Sequence, residues 1–312
     1  MTGTVEPPPD PGGPLPEGWQ HRWCEVDAVR LHFVEAGTGP LVVLLHGFPE
    51  FWYSWRRQIG LLVAAGRRVV ALDQRGYNLS EKPAGVHAYR VERLVDDVAG
   101  LILALGESAA DVVGHDWGGA IAWMLAIRHP QRVRRLAVLN GPHPRRMAEE
   151  LRLPRQLRRS WYMFLFQLPW LPEWLLARDR YRGLLATMSR DVVTVGAFSD
   201  ADLAAYRAAI AMPGALTSAV NYYRALFRRN PFALLRQVGR IDHPTLLIWG
   251  ERDRYLGLPL TEGLSRWVAD LRVERIPEAS HWVQVDVPDR VNALLIEFFQ
   301  MASRAAVTGH DS

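Results

Sequence analysis

The chain has one cysteine and one lysine in 312 residues, and each scarcity excludes something. Cys24, alone, cannot close an internal disulfide, so nothing asks for an oxidising compartment, and it reads as a small half-buried hydrophobe. Apart from Lys82, the 37 basic residues are arginine. They scatter along helical faces and match no nucleic-acid-binding motif, so the formal charge of +4 predicts no nucleic-acid partner. Long apolar runs are missing too. A spanning helix needs roughly 18–20 uninterrupted apolar residues, and the best stretch, Trp161 to Leu176, is broken by Gln167, Pro169, Pro172 and Glu173. The N-terminus has no basic region followed by an apolar one, unlike a secretory signal. Together these absences predict a soluble, cytoplasmic protein with no integral membrane association.

With 49% apolar and 22% charged residues, the chain can bury one large core, or one core with a substantial insertion. Residues 1–19 are rich in Pro and Gly and too poor in apolar side chains to offset the entropy of ordering, which predicts a flexible extension. Folding is expected to begin near Trp23. Short apolar runs then alternate with helical patterns. Leu41 to Leu45, Arg68 to Leu72, Asp111 to Val113, Leu136 to Leu139 and Thr245 to Trp249 read as buried strands. This alternation implies a parallel sheet covered by helices on both faces. Val91, Leu94, Val95, Val98, Leu101, Ile102 and Leu105 form one helical stripe, and Val291, Leu294, Leu295, Phe298 and Phe299 form another behind Pro288, which suits a first helical turn. Between Pro142 and Phe232 the alternation stops and the chain becomes helical and aromatic. The predicted organisation is a core over 20–142, a helical cap over 143–232, a second core part over 233–302 and a flexible tail over 303–312.

The sharpest motif is DVVGHDWGGAIAWMLA, starting at Asp111. A short β run meets Gly114, His115, Asp116, Trp117 and Gly118, then a helical pattern. This is the layout of a nucleophile elbow, where small residues let the chain turn sharply and lift one side chain above the sheet. The alternative is a Gly-rich turn whose Asp caps the next helix. The centre is Asp where Ser is commoner. A serine needs a base to remove its proton, whereas an aspartate, with an ordinary pKa near ~3.9, is an anion at neutral pH and suits displacement at a saturated carbon. LLHGFPEFWYSW, from Leu44, follows a buried strand where this architecture supplies an oxyanion-hole N–H, so the amides of Phe48 and Trp117 are the candidates for that role. A cis bond between Phe48 and Pro49 is permitted. TLLIWGERDRYL places Asp253 beyond a strand end, and IPEASHWVQVDVP sets His281 in a loop before the last helix. The order nucleophile, acid, histidine predicts a carboxylate that orients an imidazole acting as general base. In DQRGYNLSEKP, Asp73 and Arg75 are expected to fix a loop.

With HGFPE, DQRGYNLSEKP, GHDWGG, LNGPHP and WGERD on view, the chain from Trp23 to Ala302 resembles the epoxide hydrolases of the α/β-hydrolase superfamily. The resemblance implies an α/β-hydrolase fold, a mostly parallel twisted sheet flanked by helices with an inserted helical cap. It implies two cap tyrosines that donate hydrogen bonds to an epoxide oxygen, here Tyr162 and Tyr223. Tyr222 competes with Tyr223, and the family pattern favours the tyrosine directly before Arg224. The implied reaction gives a vicinal diol through an ester on Asp116 that His281 and Asp253 hydrolyse, with no metal, nucleotide or organic cofactor. The implied partner is a small hydrophobic epoxide, touched by His46, Pro49, Trp117 and Trp282; a homodimer is left open. A haloalkane or haloacid dehalogenase would use the same aspartate, and a non-catalytic ligand receptor could use the same scaffold. A serine esterase is disfavoured by the missing elbow serine.

Overall fold

The computed structural model describes residues 10–228 and 238–301. The first nine residues of the expected extension, the cap boundary at 229–232, the start of the second core part at 233–237 and the expected tail at 303–312 lie outside the described residues.

Eight strands form one sheet: β1 (Trp19–Val26), β2 (Val29–Ala36), β3 (Leu41–Leu45), β4 (Arg68–Leu72), β5 (Ala110–His115), β6 (Val133–Leu139), β7 (Thr245–Gly250) and β8 (Leu271–Ile276). Their spatial order is β1-β2-β4-β3-β5-β6-β7-β8. Pairings from β4 through β8 are parallel, and β2 runs antiparallel to both its neighbours. β3 is apolar throughout, and β4 to β7 are apolar except toward their ends, because helices cover both faces. Val43 and Leu45 of β3 face a core shared with α2 (Val91–Ala104) and α3 (Trp117–Arg128). Val42 and Leu44 face the opposite core, filled by Ile59 and Leu62 of α1 (Arg56–Ala64) and by Leu294, Leu295 and Phe298 of the helix Pro288–Met301. Adjacent residues of one strand thus serve two cores, as the period of two demands.

The amino-terminal segment departs from the expected extension. β1 starts at Trp19, four residues before Trp23. Ahead of it, Asp10 accepts hydrogen bonds from Trp52 Nε1 at 3.1 Å and Asn78 Nδ2 at 2.9 Å. A partly buried carboxylate that finds such donors can tie down a Pro/Gly-rich stretch whose apolar content is too low to order it.

Between β6 and β7 the described chain is helical: α4 (Pro144–Glu150), α5 (Pro154–Arg159), α6 (Trp161–Leu165), α7 (Leu171–Asp191), α8 (Asp200–Ile210) and α9 (Ala215–Phe227). We treat these helices as a cap. α8 begins with a capping box, in which Ser199 and Asp202 each bond the other's backbone N–H. Arg224 anchors α9 by donating to Glu173 Oε2 at 2.9 Å and to the carbonyls of Phe166 and Leu168 at 3.0 and 2.7 Å. Among the described residues, no helix is long and apolar enough to cross a membrane.

Candidate active site

The turn from β5 into α3 carries Asp116 at φ 50° and ψ −115°, outside the left-handed helical region, so the backbone there is strained. The turn is tight enough that side chains are excluded around it. A Cβ added at Gly114 would lie 2.2 Å from the Gly118 carbonyl oxygen, and one added at Gly118 would lie 2.1 Å from that of Leu45. Asp116 is therefore lifted above the carboxyl ends of β3 and β5, where open α/β sheets place their sites.

Three loops converge on it. After β3, the Phe48 N–H donates to Asp116 Oδ2 at 2.9 Å, and the Phe48–Pro49 peptide bond is cis. After β7 comes Asp253, whose Oδ2 lies 2.7 Å from His281 Nδ1. The opposite ring nitrogen, His281 Nε2, stands 3.9 Å from Asp116 Oδ1. Asp253 is buried and fully engaged. Its Oδ1 accepts from the N–H groups of Tyr255 and Leu256 at 2.7 and 2.9 Å, and its Oδ2 also accepts from Asn140 Nδ2 at 2.8 Å. Burial opposes its charge, yet His281 and these donors hold it below the usual carboxylate range. Burial likewise opposes an imidazolium at His281. The ion pair with Asp253, its hydrogen bond and then the charge of Asp116 outweigh burial and raise His281 to about 9.

Tyr162 and Tyr223 come from α6 and α9. Their rings are 5.8 Å apart, and Tyr223 stands edge-on to Trp117 at 5.0 Å and to Phe48 at 5.6 Å. Both tyrosines line a cavity of about 430 Å³ together with Asp116, Trp117, Met124 and Leu256. Burial, followed by neighbouring charges and phenols, pushes both hydroxyls well above the ordinary tyrosine range, so both carry protons at neutral pH. Tyr222, next in chain, points elsewhere: its hydroxyl donates to the Arg75 carbonyl at 2.7 Å.

Three residues expected at the substrate surface sit differently. His46, Pro49 and Trp282 are not among the residues lining this cavity. His46 is buried with Nδ1 2.8 Å from the Gly47 carbonyl and Nε2 accepting from the Gln74 N–H at 3.1 Å. Those backbone bonds consume the ring's polar atoms and make it a support for the turn. Trp282 is buried edge-on to His281 at 5.2 Å. Of the expected four, Trp117 alone lines the cavity. Asp73 binds His32, the Trp52 N–H and Asn78, while Arg75 grips Asp97 through two bonds of 2.7 and 2.5 Å. Both hold the loop after β4.

Sequence reasoning missed a second, buried layer. His115, directly before Asp116, spans Glu50 Oε2 at 2.7 Å and the His281 carbonyl at 2.9 Å. Glu50 also accepts from the Gly47 N–H and the Ser54 hydroxyl at 2.9 and 2.7 Å. One carboxylate and one imidazole thus tie the Phe48 loop, the elbow and the His281 loop together. Asn140, after β6, does the same for Asp253 and accepts from the Gly250 N–H at 2.8 Å. The available signal was polar residues at the ends of apolar strands. Burial disfavours charge on Glu50, but His115, Ser54 and Gly47 overcome it and hold the carboxyl at about 2, against 4.5 ordinarily. Because the folded value is depressed, the stability gained is full above pH 4.5 and is lost as pH falls toward 2. Glu50→Gln is expected to cost about 1–3 kcal/mol at pH 7 and clearly less at pH 3. Urea unfolding at the two pH values measures both, and equal losses would mean that Glu50 is not held ionised.

Residues 40–288 match the alpha/beta hydrolase fold family. An AB hydrolase superfamily protein of Bacillus subtilis, YfhM, is 41% identical over 290 residues, covering 91% of this chain and 99% of that protein. Human epoxide hydrolase 4 is 39% identical over 284 residues, covering 88% of this chain and 77% of its own length. Among solved structures, a Bacillus megaterium epoxide hydrolase in complex with an inhibitor superposes with a TM-score of 0.81 at 34% identity, covering 89% of this chain and 99% of that one. With its eight-stranded sheet and these relatives, the chain belongs to the alpha/beta hydrolase family, in the branch that holds the epoxide hydrolases.

Proposed function

We propose that this protein hydrolyses a hydrophobic epoxide to a vicinal diol through an ester on Asp116. The observation that carries the reading is one apolar cavity bounded by a carboxylate and by two protonated phenols. A carboxylate alone would serve many displacements. A departing alkoxide, unlike a departing halide, needs a proton, and Tyr162 and Tyr223 can supply it.

The two oxygens of Asp116 have different surroundings. Oδ2 is held by the Phe48 N–H, which leaves Oδ1 to attack an epoxide carbon. The C–O bond breaks, the alkoxide takes a proton from a tyrosine, and a hydroxyalkyl ester remains. Esterification cancels the charge of Asp116, one of the influences that hold a proton on His281. His281 is thereby a stronger candidate base in the ester than in the free enzyme. Oriented by Asp253, it takes a proton from water that attacks the ester carbonyl. The Phe48 and Trp117 amides receive the oxyanion on Oδ2, the latter being at the first turn of α3 where N–H groups lack intrahelical partners. The imidazolium returns its proton to the departing oxygen, so collapse releases the diol with the original Oδ1 in it; water's oxygen stays on Asp116, whose carboxyl re-ionises and gives water's second proton back to the tyrosine.

Tyr162→Phe and Tyr223→Phe are each expected to lower kcat on an aromatic epoxide by about 10²-fold. The double variant should lose more, with little change in turnover of a chloroalkane if any exists. The panel of an aromatic epoxide, a chloroalkane and a simple ester tests the assignment. A chloroalkane turned over faster than the epoxide would overturn it.

A further inference from the structure

We propose that the cap is also a membrane-docking surface, which seats the cavity mouth on a bilayer carrying anionic phospholipid. Twelve large apolar side chains are exposed among the described residues, and eight of them fall between Leu153 and Leu175, with Phe227 a ninth. Among the described residues the exposed tryptophans are all here: Trp161 at 62%, Trp170 at 73% and Trp174 at 56%. Scattered apolar residues are normal on a surface, but a concentration of this kind marks an interaction site.

Charge narrows the partner. Residues 151–182 carry seven arginines against two carboxylates, Glu173 and Asp179. Glu173 is already neutralised by Arg224 at 2.5 Å, and Arg155 by Glu150 at 2.8 Å, which leaves six arginines against Asp179. Tryptophan sits at the headgroup level of bilayers, and arginine beside it adds attraction to anionic lipid. Arg178 lies 5.0 Å from the Trp174 ring, which gives one such pair. A second copy of the chain is a poorer fit. A twofold axis through the patch would set arginines opposite arginines.

The cavity opens into the patch. Phe164 and Phe227 are exposed, their rings are 5.4 Å apart, and both line the cavity along with Leu157 and Arg152. An apolar molecule dissolved in lipid would therefore reach the cavity without crossing bulk water. Docking is independent of the chemistry at Asp116, so failure of one leaves the other standing.

The test is co-sedimentation with vesicles of phosphatidylcholine alone and of equal parts phosphatidylcholine and phosphatidylglycerol. The full chain should bind the mixed vesicles at low salt, bind phosphatidylcholine far less, and lose most of its binding at about 1 M salt, where the screening length falls to roughly 3 Å. Trp170 and Trp174 do not line the cavity. The double variant Trp170→Ala/Trp174→Ala should weaken vesicle binding about tenfold or more and leave turnover of a water-soluble epoxide unchanged. No binding to mixed vesicles would overturn the proposal, as would binding that the double variant does not weaken. A concentration-dependent dimer in light scattering that the double variant abolishes would assign the patch to self-association and overturn it as well.

Discussion

Asp116→Asn is expected to lower kcat/KM on an epoxide by on the order of 10⁴-fold or more, as the loss of a covalent nucleophile does elsewhere, while the protein stays folded. The substitution isolates chemistry from structure. Asparagine has the shape of aspartate and adds no steric demand at the φ of 50°, and its side-chain oxygen can still accept from the Phe48 N–H. What it loses is the negative charge that attacks carbon. Initial rates and circular dichroism measure the two halves of the expectation. Folded protein retaining a tenth of the activity would remove Asp116 from the nucleophile's role. Oxygen labelling gives an independent check on the parent protein. A single turnover in heavy-oxygen water should give unlabelled diol and label on Asp116, and labelled diol in that first turnover would mean direct attack by water.

His281→Gln should separate the two halves of the reaction. Ester formation requires no base, so the first step should persist. Ester hydrolysis loses its base, and steady-state turnover is expected to fall by about 10³-fold. Intact-protein mass spectrometry should then show the enzyme heavier by one substrate, with the added mass on the peptide containing Asp116. The variant keeps Asp253 in place, because Asn140 and the N–H groups of Tyr255 and Leu256 hold that carboxylate independently of the imidazole. An unmodified protein that is equally slow would place His281 in the first step. Normal turnover would exclude it altogether.

Both expectations depend on relations of very different legibility. The elbow was legible because its requirements are local: a strand, a positive-φ residue and glycines at 114 and 118 that occupy space no side chain can enter. The runs of β3 and β4 matched the strands residue for residue, since a strand buried on both faces is apolar at nearly every position, Arg68 at the start of β4 being the exception. β1, β2 and β8 were not read as strands. They lie toward the sheet edges; β1 and β8 are only partly buried, and β8, Leu271–Ile276, has charged residues at three of six positions. A half-wet strand does not announce itself by composition.

The choice between Tyr222 and Tyr223 shows the same limit from the other side. Resemblance to a family favoured Tyr223, but no periodicity separates neighbours on a helix until its packing partner is known. In the fold, the roughly 100° between adjacent helical positions sends one hydroxyl to the Arg75 carbonyl and the other ring to the cavity. His46 and Trp282 show it again: both stand near the site in sequence terms, and both are buried outside the cavity lining.

By itself, then, the sequence determined the alternation of strand and helix, the sharp turn that presents Asp116, and the order in which Asp116, Asp253 and His281 occur. Tertiary structure alone decided that Glu50 meets His115 across 65 positions, that Asn140 meets Asp253 across 113, and that two cap helices bring their tyrosines over the sheet. The reason is one of range. Turn sterics and burial period act between residues a few positions apart, whereas a hydrogen bond between distant residues exists only after sheet order and cap packing have brought them together.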